Sequence, residues 1–229
     1  MTTPQILEAL RGDLAPLERR LFEHPYVAAV ERGELARDDL RVFAGQQQRI
    51  ISSDLRSVAL LVHRYGGTPS GAFFAAALET ETTALQHLAT LTRALGFDLV
   101  EIGRIAPLAG ALAYTHFVAW LAVYGSDAEF AAAFLVNLPA WGRNCGRLAR
   151  GLRARYGLRD GDVAFFELFA GEAPGFETAA LGVIQAGLDR GVEPTAIRDA
   201  ARLLQSYELM YWDALLAATS LGRATGQRG

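Results

Sequence analysis

Apolar residues recur at three- and four-residue steps along almost the whole chain, and strict alternation of the kind a strand requires is absent. Ile6, Leu7, Leu10, Leu14, Leu17, Leu21 and Phe22 mark a first amphipathic helix, opened by Thr3-Pro4 and interrupted by Gly12 and Pro16. A short turn of helix, 26–31, follows His24-Pro25 and ends at Gly33. The spacing then predicts long helices over 38–65, 72–94, 108–123, 127–156 and 194–219, with shorter ones over 162–169 and 175–190. Ser126 with Glu129 three residues on is a capping-box pattern for the helix that starts at Asp127. Residues 222–229 read as a frayed tail.

Long helices, short connections and no polar linker predict one all-α domain spanning 1–229. The predicted buried stripe of the second long helix runs through Leu40, Phe43, Gln47, Ile50, Ile51, Leu55, Val58, Leu61 and Val62. Gln46-Gln47-Gln48-Arg49 is polar around most of a turn within that apolar helix, so part of it faces inward or lines a cavity.

Composition narrows the functional classes. Hydrophobic residues make up 51%, enough to build a core without a metal or disulfide staple, and the single Cys145 permits no internal disulfide. No apolar stretch reaches the roughly 20 residues that cross a bilayer, and Met1-Thr2-Thr3-Pro4 has no secretory pattern, so a cytoplasmic, membrane-free protein is expected. A formal charge of −3 argues against a general nucleic-acid binder. The six arginines between Arg143 and Arg159 form either a solvated helix face or an attractor for a phosphate or carboxylate. Cys145 reads as a small buried hydrophobe, with a reactive thiol as the alternative. No phosphate loop, dinucleotide glycine motif or serine nucleophile elbow is present.

The candidate chemistry concentrates at Tyr207-Glu208-Leu209-Met210-Tyr211-Trp212-Asp213. Glu208 shares a helix face with Leu204 and Trp212, where burial would raise its pKa and suit it to proton transfer. The alternative is a carboxylate that only joins helices. His24 fits a capping role and His63 a helix-exit role, while His87 and His116 sit in apolar helices as core or ligand histidines. Glu79, Glu81 and His87 are grouped, but no matching donor set appears on the other helices, so neither a dinuclear metal site nor a structural zinc is expected.

Several spaced motifs resemble the TenA/THI-4 (thiaminase II) family of haem-oxygenase-like helical bundles. They are His24-Pro25-Tyr26-Val27 with Gly33, Leu40-Arg41-Val42-Phe43 leading to Gln46, Tyr114-Thr115, Gly125-Ser126, Leu138-Pro139 with Trp141, and Tyr207-Glu208 followed by Tyr211-Trp212-Asp213. The resemblance implies a site between the helices for an aminopyrimidine-like compound, with Glu208 as the catalytic glutamate and Tyr114 as a pocket tyrosine. The family's aspartate falls at Gln47, the tyrosine after it at Ile50, its nucleophilic cysteine at Ala140 and a further tyrosine at Phe169. These departures imply a divergent member without the family nucleophile. The expected pocket is lined by Gln47, Tyr114, Trp141, Phe169 and Glu208, with Gln46 and His87 behind them, and takes a small heteroaromatic metabolite without a cofactor or metal. Family likeness also implies a homo-oligomer. The alternatives are a non-catalytic binding or structural protein of the same fold, and a metal-dependent oxygenase.

Overall fold

The computed structural model describes residues 3–171 and 173–226. Among them the chain forms eleven α-helices. They are α1 (Thr3–Phe22), α2 (Pro25–Arg32), α3 (Asp39–Tyr65), α4 (Gly71–Ala94), α5 (Leu99–Gly103), α6 (Ala109–Val123), α7 (Asp127–Tyr156), α8 (Ala164–Ala170), α9 (Phe176–Asp189), α10 (Pro194–Ala218) and α11 (Ser220–Gly226). A 3₁₀ turn at Asp160–Val163 leads into α8.

Local chemistry sets most boundaries. His24 caps α2, its Nδ1 accepting from the Tyr26 backbone N–H at 3.2 Å, and Gly33 ends that helix at a left-handed φ of 74°. Ser126 and Glu129 close a reciprocal capping box on α7, and Gly157 terminates it at φ 72°. α1 continues through Pro16. α5 was not expected: Asp98, read as a loop opener, accepts from the N–H groups of Val100 and Glu101 and so starts a helix too short to show a period. Part of the segment read as a tail is placed as α11, which runs from Ser220 to Gly226, with Asp39 accepting from the Ser220 backbone N–H and hydroxyl near its start. Residues 227–229 lie outside the described residues.

The helices pack as a bundle. α3 lies between α4 and α6, α10 between α6 and α7, and α7 is backed by α2, α8 and α9. No described helix is long and apolar enough to cross a membrane.

The buried apolar residues separate into two clusters along the bundle axis. One gathers Leu40 to Ile51 of α3, Ala84 to Leu91 of α4 and Leu209 to Leu215 of α10 around Tyr26, Phe43 and Trp212. The other gathers Val58 and Leu61 of α3, Phe73 and Phe74 of α4, Phe130 of α7 and Leu204 of α10. Between them each of the five central helices changes to polar residues. These are Asp54 on α3, Glu81 on α4, Tyr114 and Thr115 on α6, Asn137 on α7, and Gln205 and Glu208 on α10. Tyr114 packs against both clusters.

Glycines allow the closest helix crossings. A Cβ on Gly151 would stand 2.8 Å from the Glu31 Cα and 2.9 Å from the Val30 carbonyl, so α2 rests on the backbone of α7. At Gly182 on α9 nothing lies within 4 Å. Gly151→Ala should therefore cost about 1–3 kcal/mol through overpacking. Gly182→Ala should add about 0.5–1 kcal/mol by removing backbone freedom from a helix interior. Urea unfolding midpoints of the two variants check this, and equal shifts would refute the crossing.

Candidate functional site

Glu208 is the centre of the polar layer. Its side chain is buried, 2% exposed, and both carboxylate oxygens are engaged. Trp212, one turn along α10, donates Nε1–H to Oε1 at 3.0 Å, and Asn137 on α7 donates Nδ2–H to Oε2 at 2.5 Å. Asn137 also donates to Gln205 Oε1 at 2.9 Å and accepts from the Tyr114 hydroxyl at 3.3 Å. The chain Tyr114–Asn137–Glu208–Trp212 thus joins α6, α7 and α10. The Gln205 Nε2, fully buried, has no hydrogen-bond partner among the described residues.

Burial dominates the electrostatics. It pushes the Glu208 carboxyl up to about 7, against the opposing pull of the bonds from Trp212 and Asn137. Asp54, two turns along α3 from Gln47, accepts from Thr115 Oγ1 at 2.5 Å and is raised by burial to about 7. Glu81 is raised by burial and then by the neighbouring Asp54. Burial also raises Tyr114, which feels Asp54, Glu81 and Glu208 together. Among the described residues none of the three carboxylates meets an arginine. Buried Asp127, elsewhere in the bundle, is by contrast neutralised by Arg190 at 2.6 Å.

The expected lining residues divide into two groups. Glu208 and Tyr114 belong to the same hydrogen-bonded chain through Asn137. Gln47 donates to the Tyr211 hydroxyl at 2.8 Å, and Tyr211 packs edge-on against Trp141 and Trp212. Trp141 stacks on Trp212 at 5.5 Å and meets Phe169 edge-on at 5.9 Å. Gln47, Trp141 and Phe169 therefore form an aromatic wall that reaches Glu208 through Trp212. Tyr114, Trp141 and Phe169 are half-buried, whereas Gln47 and Glu208 are fully covered.

Gln46 and His87, expected behind the pocket, stand differently. Gln46 uses both ends of its amide on the loop before α6, donating to Ala106 O and accepting from Leu108 N–H. Its inward polarity thus secures a connection and not the polar layer. His87 is half-buried on α4, six residues past Glu81, and His116, read as a core or ligand histidine, is exposed. Cys145 is fully buried, and burial pushes its thiol well above the usual range, which disfavours the reactive thiolate.

Asp54, Asn137 and Gln205 were missed, and Glu81 was weighed only as a metal ligand. The predicted stripe of α3 passed through Leu55, but Asp54 and Ser57 are buried while Leu55 and Val62 are half-buried. An apolar periodicity passes over an inward carboxylate by construction. The usable signal was Asn137, a lone amide after the apolar run Ala131 to Val136.

Fold and site together define an all-α bundle with a buried acid–amide layer at mid-height. The sequence matches the TENA/THI-4/PQQC family over residues 11–217, and the chain belongs to that family. No curated protein matches it. Among solved structures it is similar to a TenA homologue from Pyrococcus horikoshii OT3, with TM-score 0.73 and 17% identity over 93% of this chain and 99% of that one. It is also similar to a TenA homologue from Pseudomonas syringae pv. tomato, with TM-score 0.75 and 15% identity over 92% of each chain. A third, from Pyrococcus furiosus, gives TM-score 0.71 and 17% identity over 92% and 99%. At these identities the likeness establishes the haem-oxygenase-like fold.

The raised carboxyls make stability depend on pH. A carboxyl whose folded pKa exceeds its unfolded value stabilises the protein at low pH, and that stability is lost as pH rises towards the folded pKa. Glu208 should therefore remove stability on the order of 3 kcal/mol between about pH 4.5 and about pH 7. Denaturation midpoints across that window should fall less steeply in Glu208→Gln than in the parent chain. Parallel slopes would show that Glu208 titrates normally.

Proposed function

We propose that this protein binds a small, flat, basic heteroaromatic metabolite of the aminopyrimidine type in the polar layer, and that Glu208 exchanges a proton with it. The observation that carries this reading is Glu208 itself: a carboxyl raised to about 7, fixed by Trp212 and Asn137, with no cation beside it. A basic ring nitrogen or amino group would supply the missing positive partner and accept the proton near neutral pH. The unpartnered Gln205 Nε2 offers a donor to a ring nitrogen or carbonyl in the same layer. Tyr114, Trp141 and Phe169, each with uncovered surface, supply flat apolar contact. Asp54 and Glu81 add acidic character on the α3–α4 side, so ligands carrying a second amino group are favoured over neutral rings.

Glu208 lines neither of two surface depressions, one between α7 and α8 and one beside Leu10, Arg198 and Arg202. Glu208 is 2% exposed, so entry to its carboxylate requires side chains over it to move, which makes association slower than docking to an open cleft.

The chemistry differs from nucleophilic cleavage. At the position where the family resemblance places a cysteine stands Ala140, buried and without an attacking atom, and the thiol of Cys145 is held protonated. We therefore read the protein as a divergent family member in which the acid–base residue is retained. Non-catalytic binding by the same layer is the second reading, favoured by Ala140 and by Gln47 in place of an aspartate. The oxygenase reading does not fit the donor set, because Leu204 and Tyr211 flank Glu208 where metal-binding side chains would be needed. Among the described residues no group of three His, Cys, Asp or Glu side chains could hold a metal ion.

Calorimetry with an aminomethyl-aminopyrimidine should show binding accompanied by proton exchange near neutral pH, visible as a dependence of the heat on the buffer. Glu208→Gln and Asn137→Ala should each weaken binding at least tenfold. Equal binding by both variants, or no heat with the parent protein, would end this reading. Product formation with the same compounds separates catalysis from simple binding.

A further inference from the structure

The arginine-rich stretch of α7 is left unused by the polar layer, and the structure gives it a definite place. Arg143, Arg147 and Arg150 fall at i, i+4 and i+7, on one face of the helix, and line a groove of about 550 Å³ between α7 and α8. Gly142 and Gly146 contribute no side chain to it, and α8 supplies Glu167 and Ala170. A Cβ on Gly142 would come within 2.4 Å of the Phe169 carbonyl, so α8 lies directly on the backbone of α7 at that end. At Gly146 there is room: the nearest atoms to an added Cβ are Ala170 Cβ at 3.5 Å and Arg150 Nη1 at 3.6 Å. The Arg150 guanidinium thus comes close to Gly146 within the groove.

The three guanidiniums are not equally committed. Arg147 donates to Glu31 through Nε and Nη2, at 3.0 and 2.6 Å, and to the Phe22 carbonyl, which fixes it between α1 and α2. Arg150 approaches Glu31 only to 3.8 Å and its side chain is 68% exposed. Arg143 lies over the Phe22 ring at 4.2 Å and has no carboxylate partner among the described residues. Glu167, the acid of the groove, is taken by Arg153 at 2.5 Å. Two positive charges therefore remain weakly balanced along one wall.

We propose that this groove is a binding site for the phosphate group of a small organic phosphate, held chiefly by Arg143 and Arg150. Two weakly balanced guanidiniums, one at 3.8 Å from Glu31 and one resting on the Phe22 ring, match the dianion of a phosphate monoester, and their planar forks suit its oxygens. The groove is also larger than phosphate requires and falls within the usual range for small-molecule sites, leaving space for the organic part beside Gly146 and Ala170.

Calorimetric titrations at constant ionic strength with inorganic phosphate and with phenyl phosphate test this. Both should bind, and the ester should bind more tightly. Arg143→Gln/Arg150→Gln should weaken both at least tenfold. Gly146→Ala, whose added methyl narrows the groove with only ordinary contacts to Ala170 at 3.5 Å and Arg150 at 3.6 Å, should weaken the ester more than inorganic phosphate. Arg202→Gln, in the depression by α1, should change neither. A double variant that binds as the parent does, or heats no larger than those of a chloride titration, would overturn the site. Ester and inorganic phosphate binding alike would overturn its assignment to an organic phosphate. Circular dichroism melting curves show whether the variants are folded.

Discussion

Two buried carboxyl groups, Asp54 and Glu208, and the half-buried Glu81 stand at the middle of this bundle with no cation beside them among the described residues, and the arrangement around them follows from that constraint. Removing a carboxylate from water is costly unless hydrogen bonds or a counter-charge replace its hydration. Around Glu208 the replacement is the Trp212 indole, one turn along the same helix, and the Asn137 amide of α7, a helix that must be in register with α10 for its bond to form. Asn137 in turn positions Tyr114 and Gln205. The apolar clusters on either side supply the burial that raises the carboxyls, and they fix the helices that carry the polar residues.

The same constraint separates what could be read from the sequence from what could not. Long helices were legible because a single apolar period runs through them, and the ends of α2 and α7 because His24, Ser126, Gly33 and Gly157 have specific capping chemistry. Glu208 was legible because it shares a face with Leu204 and Trp212. Asp54 was not: a stripe drawn through hydrophobic residues passes Leu55 and leaves the adjacent acid on the wrong side of the boundary. Gln46 shows a different limit. The polar turn 46–49 signalled that part of it faces inward, but the partner of Gln46 is a backbone loop some 60 residues away in the chain, which no local pattern announces.

Membership of the TENA/THI-4/PQQC family accounts for the architecture, and the residues of this chain give it a particular character. Ala140 and Cys145 are both buried, and burial holds the Cys145 thiol well above its usual range, while Glu208 keeps hydrogen bonds from Trp212 and Asn137. The proposed proton exchange with a basic group rests on that carboxyl, whose pKa is raised chiefly by burial. The arginines of α7 face the other way, into a separate groove, so opposite charges are presented on two sides of one helix without cancelling.

Carbon-13 NMR of the glutamate side chains, with the Glu208 signal identified by its loss in Glu208→Gln, measures the central quantity directly. The account predicts that this carboxyl titrates near 7 in the free protein and shifts downward when a basic heteroaromatic compound binds. A Glu208 carboxyl that titrates in the ordinary glutamate range, near 4.5, would contradict it.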